Sequence, residues 1–173
     1  VTVSGGRVGS YAFQGAKVTN VDVSKCTSLG NYMFDKCYNL TSVTFPAVST
    51  SSYGYGRYFN EKGNTGYTTN TNAGYTCHIP KNLRNVTIKA TSSYTKVDLY
   101  AFQGFSMITS VTLDGITTIN SYAFDGCSGL TSVTIPNSVT SIGSYAFDGC
   151  SGLTSVTIDR KSTRLNSSHP SRS

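Results

Sequence analysis

Residues 121–135 read SYAFDGCSGLTSVTI, and residues 144–158 repeat the same letters without a change. Each copy joins a short aromatic block, Tyr-Ala-Phe-Asp-Gly, to a segment in which apolar and polar residues alternate. The alternation puts Val133 and Ile135 on one face of a strand and Ser132 and Thr134 on the other. The chain is therefore predicted to be built by repetition of one structural unit.

The strand segment of this unit recurs along the whole sequence. A six-residue pattern, in which the first, fourth and sixth residues are apolar and the others are polar, occurs six times. The intervals between successive copies are 22, 43, 25, 22 and 23 residues. A period in the low twenties with this spacing is typical of leucine-rich repeats, in which each unit lays one short strand beside the last. We predict a right-handed solenoid of parallel short strands near 18–23, 40–45, 83–88, 108–113, 130–135 and 153–158.

The aromatic block recurs between the strands and predicts the opposite side of the solenoid. Ser10, Ser121 and Ser144 precede copies of it as candidate N-caps, and the glycine that closes it suits a left-handed residue, so one short helical turn is expected. Pro46 and Pro136 come just after strands, where a missing N–H is expected to leave the ladder intact.

The stretch from Tyr122 to Gly143 resembles the BspA-like leucine-rich repeat family of bacterial and some protozoan surface proteins. The resemblance extends over residues 1–158 with one interruption. It implies an extracellular or cell-surface location and a role in binding or adhesion. The family's repeated residues are framework positions, so the resemblance names no ligand.

The repeat breaks at Asp159, where residues 159–173 read DRKSTRLNSSHPSRS. The first part of this tail resembles one translated reading frame of a common sequencing adapter, so we interpret 159–173 as a non-native tail and 1–158 as the solenoid. The tail carries +3 of the formal charge of +6, and the other basic residues are scattered. Nucleic acid is therefore not an expected partner. The solenoid is expected to be truncated at both ends.

The interruption spans about residues 53–80 and is rich in Tyr, Gly, Asn and Thr. Tyr58-Phe59 is interpreted as a stand-in for the aromatic block, which leaves residues 60–80 as an added loop or hairpin. Such a composition is typical of adaptable contact surfaces. The alternatives are tyrosines that pack on the solenoid flank, and disorder. The candidate ligand contacts in this segment are Tyr67, Tyr75, Asn70 and Asn72.

A second candidate surface is the outward face of the strands, which carries a column of hydroxyl side chains including Thr87, Thr112 and Thr134. Threonine is also simply a good exposed strand residue. As a recognition surface, this flat and weakly charged face would suit a protein or glycan ligand, for example on a host surface or matrix.

Catalytic, cofactor and metal sites find little support. The chain has two His and one Glu, no CxxC pair and no metal-ligand spacing. Cys37, Cys127 and Cys150 share one repeat position with Ala16 and Phe105, which predicts buried apolar thiols. Adjacent residues of an extended segment face opposite ways, so Cys77 and His78 are not expected to meet.

The sequence therefore favours a non-catalytic binding module that recognises a protein or glycan, with no cofactor and no span of the membrane. The alternative is a passive scaffold or spacer in a larger surface protein that carries another domain. An enzyme is a third, weaker hypothesis. Charged residues make up 13% of the chain, whereas 25 Ser and 24 Thr provide most of its polar surface, which excludes coiled coils and charged disordered tails.

Overall fold

The computed structural model describes residues 1–50, 54–59, 66–72 and 74–159. Its main feature is a parallel sheet of six strands that lie side by side in chain order. This is the arrangement of a solenoid, and the prediction of a leucine-rich repeat fold whose units each lay one short strand in a parallel sheet is confirmed. The strands of this main sheet are β2 Asn20–Asp22, β4 Ser42–Pro46, β7 Asn85–Lys89, β9 Ser110–Asp114, β11 Ser132–Ile135 and β13 Ser155–Ile158.

Inward side chains of this sheet form one wall of the core. Val43 lies opposite Val86, and Val86 lies opposite Val111, all of them buried. Neighbouring outward positions hold Ser, Thr and Asn. Because each coil buries its apolar face against the coils on either side, the stability of the stack is shared between them.

Short strands also form at a second position of the repeat, just before the aromatic block. The first two coils pair there as a two-stranded sheet, and the last three form a three-stranded one, all parallel. These strands are β1 Gly6–Val8, β3 Cys26–Leu29, β8 Lys96–Val97, β10 Thr118–Ile119 and β12 Ser141–Ile142. Among the described residues of the coil that contains β4, none belongs to a strand of this second layer.

The aromatic block forms two consecutive turns in place of the expected helical turn. Tyr122 has a φ of 57° and Gly126 a φ of 72°, so the block opens and closes with a left-handed residue. Backbone bonds from Asp125 to Tyr122 and from Cys127 to Phe124 close the turns. A tyrosine in this region of φ is strained, and its ring stacks on the tyrosine of the next coil, for example Tyr122 on Tyr145 at 5.1 Å.

Inside the turns, phenylalanine rings form a second stack within the core. Phe102 lies 5.6 Å from Phe124, and Phe124 lies 5.4 Å from Phe147, with nearly parallel planes. Backbone hydrogen bonds also join each coil to the next, since the Phe102 N–H donates to the Ala123 carbonyl at 2.7 Å. The turn side is thus tied from coil to coil by a ladder of its own.

The long interval between β4 and β7 is a single coil with an insertion. Its described part contains the 3-10 helix Tyr55–Tyr58 and an antiparallel hairpin of β5 Tyr67–Asn72 and β6 Tyr75–Pro80. Tyr55 stacks on Phe102 at 4.5 Å, and Phe59 lies 5.7 Å from Phe34. Phe34 stacks in turn on Phe13 at 5.6 Å, so the helix and the residue after it connect this pair to the stack that contains Phe102.

Both terminal coils present apolar side chains to solvent. At the carboxyl end, Val156 and Ile158 are 52% and 56% exposed. Asp159 continues the ladder, since its N–H donates to the Ile135 carbonyl at 2.8 Å. The rest of the tail, residues 160–173, lies outside the described residues. Its interpretation as non-native therefore stays a prediction. Within the described part of the chain, no helix has the length and apolar character needed to cross a membrane.

Candidate functional site

The outward face of the main sheet carries two columns of small polar side chains. One column is Thr or Asp, and Thr44, Thr87 and Thr112 lie directly opposite one another in the register. In the other, Ser42 donates a hydrogen bond to the Asn20 side chain at 2.6 Å. Because the register is kept from strand to strand, these columns make a hydroxyl surface along the main sheet. The predicted contacts Thr87, Thr112 and Thr134 all lie on this surface.

A cleft of about 280 Å³ interrupts that surface between β9 and β11. The two strands pair only at Ser132 with Ser110 and at Val133 with Val111, and they separate beyond that point. We call this opening the sheet cleft, and its lining includes Thr112, Thr134, Pro136 and Asp159. The structure thus brings Thr112 and Thr134 to the two sides of one cleft.

Pro136 explains why the strands separate there. Asp159 donates its N–H to the Ile135 carbonyl, and the equivalent bond one coil earlier would run from residue 136 to the Leu113 carbonyl. Proline has no N–H to donate. The expectation that this proline leaves the ladder intact is wrong, because pairing of β9 with β11 ends before it.

Pro46 has the same effect on the other half of the sheet. The Val23 N–H donates to the Thr44 carbonyl at 2.9 Å, and the next bond of a parallel ladder would need an N–H at residue 46. Pairing of β2 with β4 ends at Asp22 and Thr44. The ladder is therefore interrupted here too, contrary to expectation.

Beyond that interruption lies a second and larger opening of about 560 Å³, which we call the lateral groove. Residues 24–27, 47–49 and 90–94 line it, and most of them are Ser, Thr or Ala. None of these residues was predicted as a contact from the sequence. The signal present in the sequence was the departure of residues 90–95 from the repeat.

The hairpin residues proposed as ligand contacts are placed differently from one another. Tyr75 is 49% exposed, and the side chains of Tyr67 and Asn70 lie outside the described part of the structure. Asn72 is completely buried. Its amide oxygen accepts from the Gly56 N–H at 2.9 Å, so as placed here Asn72 serves the fold rather than the surface.

Asn72 also donates to the aromatic block of the next coil. Its amide nitrogen bonds the carbonyls of Tyr100 at 2.8 Å and Gln103 at 3.1 Å. In a regular coil the carbonyl at the Gln103 position accepts from a backbone N–H of the preceding block, as Asp125 does from Gly104 at 2.8 Å. The Asn72 side chain thus supplies the donor that the insertion removes.

The two candidate surfaces do not meet. The hairpin binds the turn side of the solenoid through Asn72, whereas the threonine column lies on the main sheet. Phe45 of β4 lies 6.4 Å from Phe102 of the aromatic block, with both rings buried. The core therefore separates Tyr75 from Thr112.

The repeated cysteines form a column of free thiols that link the coils. Cys37 donates to the Phe13 carbonyl at 3.0 Å, and Cys127 to the Phe102 carbonyl at 3.2 Å. Burial raises the pKa of the Cys37 thiol to about 11. These thiols stay protonated at neutral pH, and sequence reasoning missed their role as donors.

Repeated Asp and Gln side chains form another link between coils. Gln14 donates to Asp35 at 2.7 Å, and Gln103 donates to Asp125 at 2.9 Å. A carboxylate held in this way by the preceding coil stabilises the turn side of the stack.

The histidine and the thiol of the hairpin have different partners. His78 Nδ1 lies 3.1 Å from the Thr69 hydroxyl, while a Cβ on Gly56 would lie 2.8 Å from the Cys77 sulfur, so the thiol packs on the 3-10 helix. Burial raises the pKa of Cys77 to about 12. Among the described residues, no group of three or more potential metal ligands is present.

The sequence matches the model of the BspA type leucine rich repeat region in six copies, over residues 4–65 and 70–169. The second range extends into the tail. No curated protein matches the chain.

Solved structures with a similar fold include three bacterial proteins. A leucine-rich repeat protein from Eubacterium ventriosum is 20% identical, with a TM-score of 0.49 over 94% of this chain and 45% of that one. The T. pallidum leucine rich repeat protein is 22% identical, with a TM-score of 0.39 over 87% and 50%. A leucine rich cell surface protein from Faecalibacterium prausnitzii is 20% identical, with a TM-score of 0.38 over 94% and 52%. The chain spans about half the length of these structures.

Proposed function

The chain belongs to the BspA-type leucine-rich repeat family, and from this premise we propose that it is a non-catalytic binding module at the cell surface or outside the cell. Its ligand is a protein or a glycan, and its role is adhesion or recognition. The family supports a repeat module of this kind. The bacterial origin and surface location are part of the proposal and rest on the family alone.

The observation that carries the proposal is the sheet cleft within the hydroxyl surface. Thr112 and Thr134 are exposed on either side of a separation between two strands. Hydroxyl groups both donate and accept hydrogen bonds, and a rigid sheet holds them at fixed spacing. A surface of this type recognises polar ligands by geometry rather than by charge.

The hairpin provides a second contact surface in the proposal through Tyr75, which is half exposed near its turn. Tyrosine offers a large ring at low cost in conformational entropy. Tyr67 and Asn70 remain proposed contacts of the same segment. Because the core separates the hairpin from the sheet, the two surfaces contact different ligands or different parts of one ligand.

We also propose that the chain is not catalytic, because its cysteine thiols are buried and have raised pKa values. Cys26, Cys37, Cys77 and Cys127 are buried and Cys150 is half-buried. Burial raises the pKa of each, whereas an attacking thiol needs a lowered one.

A spacer is the second candidate, and exposed apolar side chains on the terminal coils favour it. Val156 and Ile158 have the pattern of core residues, so further coils would cover them. A stack extended in this way holds other domains apart without any ligand of its own.

The experiment is retention of the full chain on an array of matrix proteins and surface glycans. We expect the double variant Thr112→Lys with Thr134→Lys to lose retention, because it places two long cations in the sheet cleft. Thr140→Lys is the control, since Thr140 is exposed outside the main sheet. Tyr75→Ala measures the contribution of the hairpin.

Circular dichroism should be unchanged in every variant. Retention that survives the double substitution but is lost in Tyr75→Ala would move the site to the hairpin. If the unmodified chain is retained on no member of the array, the spacer function is favoured.

A further inference from the structure

The lateral groove lies between two parts of the second layer. Among the described residues, β3 pairs in this layer with β1 alone and β8 with β10 alone. Residues 47–49 of the coil between them line the groove, together with 24–27 before them and 90–94 after them. Neighbouring strands of a sheet lie about 4.8 Å apart, so an opening between two coils on either side of a third is wide enough for a small ligand.

Elsewhere in the same layer the coils close on one another. The Ser138 hydroxyl donates to the Ile116 carbonyl at 2.7 Å, and the Thr140 N–H donates to the Thr117 carbonyl at 2.9 Å. Ile116 is completely buried there. The groove is therefore a local departure from the repeat, not a general property of the solenoid.

Asp98 holds two parts of the groove region in place. Its carboxylate accepts from the Ser49 hydroxyl at 3.2 Å and from the Thr50 N–H at 3.0 Å. Burial and the nearby Asp98 carboxylate raise the pKa of Tyr94, so the phenol stays protonated beside them. This fixes the 47–49 segment relative to Tyr94.

The wall that carries Tyr94 is also closed by its own hydrogen bonds. The Thr91 N–H donates to the Tyr94 carbonyl at 2.8 Å, and the Tyr94 N–H donates to the Thr91 hydroxyl at 3.0 Å. A groove formed in advance loses little entropy when a ligand binds.

The lining combines three chemical features. Hydroxyl side chains surround it, Ala47, Val48 and Ala90 provide apolar surface, and Tyr94 provides an aromatic ring. A sugar ring has hydroxyl groups at its edge and C–H groups on its faces, and this lining complements both. The volume falls within the usual range for small-ligand sites, about 300–1,000 Å³.

The charge of the groove lining indicates whether a neutral or an acidic ligand fits. Lys25 is the cation of the lining, and Asp22 lies close by. Burial raises the pKa of Asp22, but hydrogen bonds from Ser24 and the charges of Lys89 and Lys25 outweigh this and lower it overall. Asp22 is therefore ionised and offsets Lys25.

We propose that the lateral groove is a binding site for a neutral oligosaccharide of a few sugar rings, with Tyr94 and the surrounding hydroxyl groups as its contacts. This site is separate from the sheet cleft and the hairpin.

The test uses the full chain and a panel of immobilised neutral hexose oligosaccharides, with sulfated and sialylated oligosaccharides and extended Ser/Thr-rich peptides as the other arms. Thr27→Trp puts a large ring into the groove. Thr140→Trp is the matched control, because Thr140 holds the same place in its own repeat. Each threonine donates to a carbonyl of the preceding coil, Thr27 to Gly6 and Thr140 to Thr117.

We expect a neutral member of the panel to bind, Thr27→Trp and Tyr94→Ala each to weaken binding at least tenfold, and Thr140→Trp to change it less than twofold. If Thr27→Trp fails to fold, Ser92→Trp at the exposed rim provides the same block. The proposal is overturned if no neutral oligosaccharide binds or if binding survives both groove substitutions. Binding confined to acidic glycans and lost in Lys25→Ala, or confined to the peptides, overturns it as well.

Discussion

Replacing Asn72 by Ala should destabilise the solenoid more than any substitution of an exposed hairpin residue. The side chain is buried and joins the 3-10 helix to the aromatic block of the next coil, with bonds to Gly56, Tyr100 and Gln103. Alanine cannot replace any of these bonds. The Gly56 N–H and the Gln103 carbonyl would lose the bonds that Asn72 makes to them, whereas the Tyr100 carbonyl still accepts from the Gln103 N–H at 3.2 Å.

The size of the effect follows from these two groups. An unsatisfied buried polar group costs about 1–3 kcal/mol. The Gly56 N–H is fully buried and takes the whole cost, while the Gln103 carbonyl is partly buried and takes less. We expect a loss of about 2–4 kcal/mol in the free energy of unfolding, which is large beside a typical total of about 5–15 kcal/mol.

Urea unfolding, followed by circular dichroism, measures this loss, and hydrogen exchange of the Gly56 amide shows whether the hairpin detaches first. Thr71→Ala is the matched control, because Thr71 is the preceding residue of β5 and its side chain is exposed. A loss for Asn72→Ala within about 0.5 kcal/mol of the control, with unchanged exchange at Gly56, would refute the reasoning.

Three further predictions concern a thiol, a hydroxyl and the tail. Burial raises the pKa of Cys37 to about 11 from 9.0. Above pH 9 the thiol therefore ionises in the unfolded chain but not in the folded chain. The contribution of this thiol to stability falls as the pH rises towards 11. The destabilisation caused by Cys37→Ala, measured by urea unfolding, should therefore be smaller near pH 10 than near pH 8, and an equal value at both would contradict this. The buried Thr50 hydroxyl finds no hydrogen-bond partner among the described residues, so Thr50→Val should leave the thermal midpoint unchanged or raise it, whereas a fall of several degrees would show that the hydroxyl is bonded. Deletion of residues 160–173 should leave the thermal midpoint nearly unchanged, and a clear drop would return the tail to the native fold.

The strands and the core could be predicted because they depend on local alternation. The position of an inward apolar residue, such as Val133, is set by the alternation in its own segment. Its neighbour in the sheet is the equivalent residue one coil away. Since every coil supplies the same partner, a single sequence reveals both the strand and its neighbour. The alternation also showed correctly that Thr112 and Thr134 face outward.

The turn side could not be predicted in the same way. The serine before the block and the glycine after it are signals of a helix, but the tyrosine between them has a left-handed φ of 57° in Tyr122. Stacking on the next tyrosine and bonds between coils outweigh the local preference. Those bonds depend on partners more than twenty residues away, so no local rule reveals them.

Both openings come from single departures that the repeat hides. Pro136 lacks one N–H, and pairing of β9 with β11 ends before it, at Val111 and Val133. The lateral groove lies beside residues 47–49, just before the insertion. The sequence showed the insertion, but the effect lies on residues 24–27 and 90–94 of the neighbouring coils.

The insertion leaves the sheet side of the solenoid more strongly connected than the turn side. On the sheet side, β4 pairs with β7 at every position from Ser42 to Pro46, so the main sheet passes the insertion without a break. On the turn side, the connection depends on the 3-10 helix and on Asn72. Local opening follows the weakest connection, so the turn side should open before the sheet does. A binding surface is most precise on the more rigid element, and for this reason the sheet cleft, rather than the hairpin, is the better platform for recognition.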